Sequence, residues 1–370
     1  KKLFFLITCL ILLLVNQNQL VIAKEATLSE VFLKNNTIYH VNSNDLFTGI
    51  LRKNFYSGNK KILSQVKNGK LNGYTEEYYR DGILKYKYLM KDNKLNGAFL
   101  SYDTLGNLST STSYSDGLEN GIRETYWLSG SKYTTRTVIN GKPEGLGFNY
   151  YETGEIHSTV TYKSGKEEGI KTFFTLDGKI MEKGMIVGGE WNGPYESYYE
   201  PNEIQVKNGK QILDIGDKVR KRTHYKNNVE EGISEHYDKD GRLMERGTLV
   251  GGEWNGVYEY YYISTETILT KDNKEILNIG PNVRIRAYME NGAENGLKEF
   301  YTPDGNLIER GMLKNGVWHG VYEYFSLDEE DTYDQNGLPI YKTYPFPIIR
   351  TYFVDDKETG IKEWYNENGK

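Results

Sequence analysis

The chain has 370 residues, among them 32 Tyr, 39 Gly and only 8 Pro, with a mean hydropathy of -0.66. So aromatic a chain can bury area, which excludes a wholly disordered polymer, and Tyr and Gly suit strands and tight turns better than helices. Its formal net charge is -5, which offers no basic face to a nucleic acid, and its single cysteine excludes a disulfide framework.

In chain order, residues 1–23 come first: Lys1 and Lys2, the apolar run "LFFLITCLILLLV" (3–15), then "NQNQ" and a stretch ending at Ala23. The run is short of the ~20 residues that span a bilayer, so a signal peptide cleaved after Ala23 is expected rather than a membrane anchor. Cys9 lies too early in the run for a lipidation site. Cleavage would leave a mature chain without cysteine, destined for periplasm, cell surface or medium. Residues 24–48 are expected to be lead-in strands.

From Gly49 the sequence becomes periodic. Gly49, Gly73, Gly97, Gly121, Gly145, Gly169 and Gly193 are 24 residues apart, giving five regular repeats over 49–168. From Gly169 to the end, 24-residue repeats alternate with expanded ones of 39–40 residues, marked by Gly193, Gly232, Gly256, Gly296, Gly320 and Gly360. With the glycine as position 1, position 6 is aromatic in eleven of twelve repeats, as at Tyr78, Tyr126, Phe174, Tyr237 and Tyr301. Positions 2, 12 and 18 favour aliphatic residues. This alternation predicts strands, with the even positions all pointing to one face, and no stretch sustains a helical period. Asp-Gly pairs near position 10 ("RDG", "LDG", "KDG") predict a hairpin turn. In the expanded repeats "VKNGKQILDIG" (206–216) and "TKDNKEILNIG" (270–280) predict an outward extension of that hairpin.

The expected fold is therefore all-β: an elongated array of about twelve stacked antiparallel β-hairpins, a twisted ribbon or rod on the order of 110 Å long at ~4.8 Å per strand. The glycine at position 1 is expected to let a neighbouring aromatic ring lie on bare backbone. "NGKPEGLGFNYYETGEIHSTVTYKSGKEEG" (140–169) and "NGKLNGYTEEYYRDGILKY" (68–86) resemble the bacterial variant of the MORN repeat, the type found in YwqK-like antitoxin proteins. The resemblance covers about residues 46–370. It implies a binding or scaffolding array, with membrane association or an antitoxin role among the functions it brings. "YDKDGRL" (237–243) and "YDTLGNL" (102–108) are similar to the YD repeats of Rhs shells.

Chemistry is sparse. The five histidines share no repeat position and show no metal-ligand spacing; "DKDGRLMERG" (238–247) departs from a calcium loop at Arg242. No catalytic residue, cofactor or metal is expected. Glu190 and Glu253, in the twice-written "GGEWNG", would be the best paired acids, but the third copy has Val317 there. Trp191, Trp254 and Trp318 stay in register and are expected to cap the turn ending each short repeat. Together with Gly73, Gly97, Gly121, Gly145, Gly169, Gly232, Gly256 and Gly296 they are assigned to the repeat's structure.

The candidate binding surface is the set of extra aromatics at positions 5 and 7: Tyr79, Trp127, Tyr151, Tyr199, Tyr260, Tyr262, Tyr324 and Trp364. They are either cross-strand stacks or an exposed aromatic ladder for a protein or cell-surface partner, with glycan as the alternative. A membrane surface ranks behind both, since the net charge is negative and "DEED" (328–331) is acidic.

Overall fold

The computed structural model describes residues 24–370 except 200–204, 208–209, 213–217, 263–266, 270–274, 278–281, 303–304, 326–343 and 367. The expected leader, and the "DEED" run, lie outside the described residues. No helix occurs among those described, and the chain is all-β, built of stacked antiparallel hairpins. It divides into two compact units, Lys1–Lys142 and Pro143–Lys370.

In the first unit, Glu25–Thr27 lies parallel to Gly49–Asn54, and Val31–Lys34 pairs with Thr37–His40 as a separate hairpin. Ala26, Ile38, Phe47 and Val66 are buried together there, so the lead-in segment covers the start of the array. Strands then follow in sequence order, each antiparallel to the last: Lys60–Lys67, Lys70–Tyr78, Leu84–Lys91, Lys94–Tyr102, Leu108–Ser115, Gly121–Tyr126 and Lys132–Ile139.

The second unit repeats this plan from Gly145–Tyr150 to Lys357–Trp364. Its expanded repeats carry the expected extensions, Gln205–Lys207 paired with Lys210–Ile212 and Thr267–Leu269 with Glu275–Leu277. Tyr199 N–H donates to the Lys218 carbonyl, and Tyr262 N–H to that of Asn282, closing the base of each extension.

The expectation that all even positions share one face is corrected by a bulge. In the hairpin of Gly73 the register slips by one residue near the turn: Glu77 opposes Tyr86 but Tyr78 opposes Leu84, passing over Lys85. The same slip recurs at Phe173/Phe174, His236/Tyr237, Tyr260/Tyr261 and Phe300/Tyr301. A single extra residue exchanges the two faces for everything beyond it. Positions 2, 4, 6 and 12 therefore lie on one face, and the aliphatics of position 18 (Val66, Val138, Ile186, Leu249, Leu313) are buried on the other. We call the second one the ring face.

The ring expected on the glycine at position 1 is found at some repeats and not at others, and what all of these glycines share is their backbone. All twelve have φ between +75° and +154°, a region costly for a side-chain-bearing residue. A methyl group at Gly145, Gly232 or Gly256 would meet nothing within 4 Å, so no ring rests there. A ring does rest on Gly296, where a Cβ would lie 3.3 Å from the Tyr288 ring, but the closest ring contacts are on a second set of glycines, nine residues before the next repeat begins. At Gly184 a Cβ would lie 2.7 Å from the Trp191 ring and 2.9 Å from Tyr195; Gly247 lies in the same way under Trp254 and Tyr258, and Gly311 under Trp318 and Tyr322. These three have ordinary strand φ, so what they supply is room. The Trp column thus covers a buried glycine on the neighbouring strand, rather than the turn.

Gly184→Ala should therefore destabilise by overpacking, about 1–3 kcal/mol, and Gly145→Ala by backbone strain alone, about 1–2 kcal/mol. Denaturant melts of both variants check this; enlarging the room by Trp191→Leu should relieve Gly184→Ala and leave Gly145→Ala unrelieved.

Candidate functional site

Four of the candidate aromatics have a defined structural use. The hydroxyl of Tyr79 donates to the carbonyl of Tyr102, that of Tyr151 to Phe174, that of Tyr199 to Tyr237 and that of Tyr262 to Tyr301, at 2.6–2.9 Å. In every case position 7 of one repeat ties to position 6 of the next. The receiving repeat has a short capping residue at its own position 7: Asp103, Thr175, Asp238 and Thr302, whose side-chain oxygens accept amide protons of their own turns. Asp238 also takes Arg242 Nε at 2.7 Å, which is turn chemistry. Tyr199 and Tyr262 stand at the base of the two described extensions and fasten each to the next repeat.

The remaining candidates are dispersed. Trp127 packs on Tyr133 with ring centroids 4.4 Å apart. Tyr260 and Tyr324 are half-buried on the ring face, and only Trp364, 68% exposed, is open to solvent. Glu190 and Glu253 are both exposed.

Around the three Trp residues the ring face builds one arrangement three times. Trp191 meets Tyr195 edge-on at 5.3 Å, Trp254 meets Tyr258 at 5.2 Å, and Trp318 meets Tyr322 at 5.2 Å. The three tyrosine hydroxyls donate to Glu182, Glu245 and Glu309. Burial, reinforced by the carboxylate, pushes each of these phenols well above its usual value.

The opposite face carries the feature that sequence reasoning missed. Position 4 holds an acid and the residue ten before the next glycine a cation, and these stand directly opposite one another on adjacent strands. In register the series runs Lys183, Glu196, Arg222, Glu235, Arg246, Glu259, Arg286, Glu299, Arg310, Glu323, Arg350, Glu363. Twelve consecutive strands of the second unit thus contribute one charge each, alternating without a break. Glu196 accepts from Lys183 at 3.0 Å and Arg222 at 2.9 Å; Glu323 accepts from Arg310 at 2.7 Å and Arg350 at 2.5 Å. In the first unit Leu63, Leu100 and Ser111 interrupt the same column.

Position 6 completes the row. Tyr78, Tyr126, Tyr198, Tyr237, Tyr261, Tyr301 and Tyr365 each donate to the glutamate two residues earlier, at 2.6–2.8 Å. Burial, with the adjacent carboxylate, pushes Tyr78, Tyr126, Tyr261 and Tyr301 up to about 12. Guanidinium groups cover several rings, Arg222 over Tyr237 at 5.4 Å and Arg286 over Tyr301 at 5.6 Å. Beside the ladder, position 2 gives a row of apolar residues open to water, Ile233 48% exposed, Val257 53%, Leu297 41% and Ile361 79%; across the strands Val257 faces Tyr288 and Leu297 faces Met312, while Thr248 opposite Ile233 and His224 opposite Pro194 interrupt the stripe.

Shallow hollows lie between the position-2 residues and the charged column at two places. Ile170, Met185 and Pro194 face Lys183 and Glu196 across one of about 180 Å³, and in the first unit Ile50, Gln65 and Tyr74 face Glu76 and Lys87 across another of about 190 Å³.

No known family profile matches the chain, and no curated protein matches it. Among solved structures, similarity is found to a TcdB2–TccC3–Cdc42 crystal structure at 13% identity, covering 89% of this chain and 16% of that one, with a TM-score of 0.18. A TcdB2–TccC3 crystal structure matches at 13% identity over 81% and 17% of the two chains, and a Photorhabdus luminescens Tc holotoxin pore at 14% over 80% and 15%, both with TM-scores of 0.18. The chain spans about a sixth of each. Likeness at that level transfers neither fold nor function.

The ladder predicts an acid limit. Burial raises the Glu196 carboxyl, but hydrogen bonds from Tyr198, Lys183 and Arg222 outweigh it and hold the group at about 2. Its folded pKa lies below its unfolded one, so its contribution is complete above about pH 4.5 and is lost as pH falls towards 2. Denaturant melts at stepped pH should show stability declining through that window in the parent, with a shallower decline in Glu196→Gln.

Proposed function

We propose that this chain is an exported, non-enzymatic MORN-type binding scaffold, and that it meets a protein partner on the face bearing the ladder and stripe. The observation that carries the reading is the stripe itself. Soluble monomers rarely keep large apolar side chains exposed at every repeat of an array, and such recurrence marks contact surfaces. Here one recurs at a fixed repeat position while every neighbouring column is engaged in internal pairs.

That internal engagement also supports a scaffold over an enzyme. Catalytic acids and bases need to meet a substrate, whereas these carboxylates are matched to tyrosines, arginines and lysines repeat after repeat. It moves the expected contact surface as well. Of the candidate aromatics at positions 5 and 7, four give their hydroxyls to neighbouring backbone, and guanidinium groups cover position-6 rings, so fewer ring faces are left for stacking on a sugar. Glycan recognition therefore ranks second. The extensions at Tyr199 and Tyr262, clamped at their bases, are a further place for contact.

Val257→Asp with Leu297→Asp changes only exposed side chains and should leave the melting midpoint within a few degrees. Affinity capture from envelope extracts, quantified for both proteins, should give at least one saturable partner held by the parent and lost by the variant. An identical captured set for the two would count against this face.

A further inference from the structure

Building on that reading, we propose that the occupant of the stripe is an extended, proline-rich segment in the polyproline II conformation, lying across the strands beside the ladder. The dimensions select it. One repeat advances the sheet by two strands, ~9.6 Å at ~4.8 Å each. A polyproline II helix turns once in three residues of ~3.1 Å, or ~9.3 Å, so every third residue returns to the same column of the next repeat. A β-conformation chain in that direction would present one side every ~6.7 Å and fall out of step within one repeat.

Chemistry agrees with the dimensions. The stripe offers aliphatic residues and the exposed ring of Tyr288, 48% open, as a bed for pyrrolidine rings. The ladder beside it alternates strictly in sign over six cations and six acids. Its net charge is zero, so it selects neither a polyanion nor a polycation and complements an uncharged chain. Polyproline II makes no internal hydrogen bonds, and its carbonyls need donors. Arg286 gives Nε and Nη2 to Glu259 and Nη1 to the Tyr301 hydroxyl, which occupies three of its five N–H groups. Its side chain is 43% exposed, so the remaining donors can reach a ligand carbonyl. Arg310 and Arg350 are similarly open at 42% and 40% and recur on later repeats.

A second copy of this chain packed face to face is the main competitor, because an alternating ladder can also match its own inverse. Such a sandwich would strip water from the whole row of ions, and the cost of desolvating each is several kcal/mol. A narrow chain on the stripe leaves the ladder's outer side wet. A hollow at corresponding repeat positions in each unit, beside Ile50 and Tyr74 in one and Ile170 and Pro194 in the other, fits an occupant that reads the repeat.

The test is fluorescence anisotropy with a labelled twelve-residue oligoproline and a Gly-Ser peptide of equal length, titrated with the full chain. The expected result is saturable oligoproline binding at least tenfold tighter than Gly-Ser binding. Val257→Asp with Leu297→Asp should weaken it by a further tenfold or more, and Arg286→Lys, which keeps the ladder's charge but loses guanidinium donors, by several-fold. Melting curves of both variants guard against unfolding. Equal affinity for the two peptides, or oligoproline binding untouched by the stripe substitutions, overturns the proposal. So does a concentration-dependent dimer in sedimentation that the stripe substitutions abolish. If oligoproline fails while the envelope partner is still lost from the variant, the scaffold reading stands and only the polyproline II occupant falls.

Discussion

From Lys183 to Glu363, an acid on one strand facing a guanidinium or ammonium on the next is the interaction on which the sheet of the second unit depends. Any one such pair, half in water, is worth no more than about 1 kcal/mol. Its importance lies in repetition. Hairpins of nearly identical composition could pair in several registers, and a slip of one residue would place Glu196 or Arg286 among the rings of the other face. A slip of two would bring the ladder opposite the apolar stripe. The alternating row therefore distinguishes the native alignment from its near neighbours, a task the uniform Tyr and Gly columns cannot perform. The tyrosines at position 6 add to it by holding each carboxylate from the side.

The two faces divide the work. On the ring face, Trp191, Trp254 and Trp318 lie on glycines, their tyrosine neighbours reach Glu182, Glu245 and Glu309, and the aliphatics of position 18 are buried beneath. On the ladder face the charges are matched to one another and half in water, and the apolar stripe beside them has no partner of its own kind. Position-7 tyrosines fasten one repeat to the next where its turn is capped by Asp or Thr, so the structural unit in this region is a pair of repeats. The alternation of short and expanded repeats follows the same pairing, with Tyr199 and Tyr262 at the bases of the extensions and Asp238 and Thr302 in the tight turns that follow.

Much of this was legible in the sequence, because a glycine that must take positive φ leaves a mark at a fixed interval. Gly49 to Gly360 gave the period, and the apolar alternation gave strands. The bulge was not legible: Lys85 is neither Gly nor Pro and nothing in its type marks an unpaired residue, yet skipping it exchanges the faces and puts position 18 on the face away from position 6. The ladder was written in plain view as Glu at position 4 and Arg ten before the next glycine, but a search for apolar periodicity passes over charged columns. Tyr151 and Tyr199 looked like spare aromatics because a hydroxyl aimed at a backbone carbonyl has no sequence signature.

The central claim, that the charges act as one alternating row and not as separate pairs, is tested most directly by exchanging the partners within a pair. In an isolated salt bridge, Glu259→Arg combined with Arg286→Glu restores the attraction. In the row, the same exchange sets two cations opposite at 246 and 259 and two acids opposite at 286 and 299. Equilibrium denaturation of the two single variants and the double should show the double no more stable than the better single. A double variant recovering the parent's stability would contradict the account.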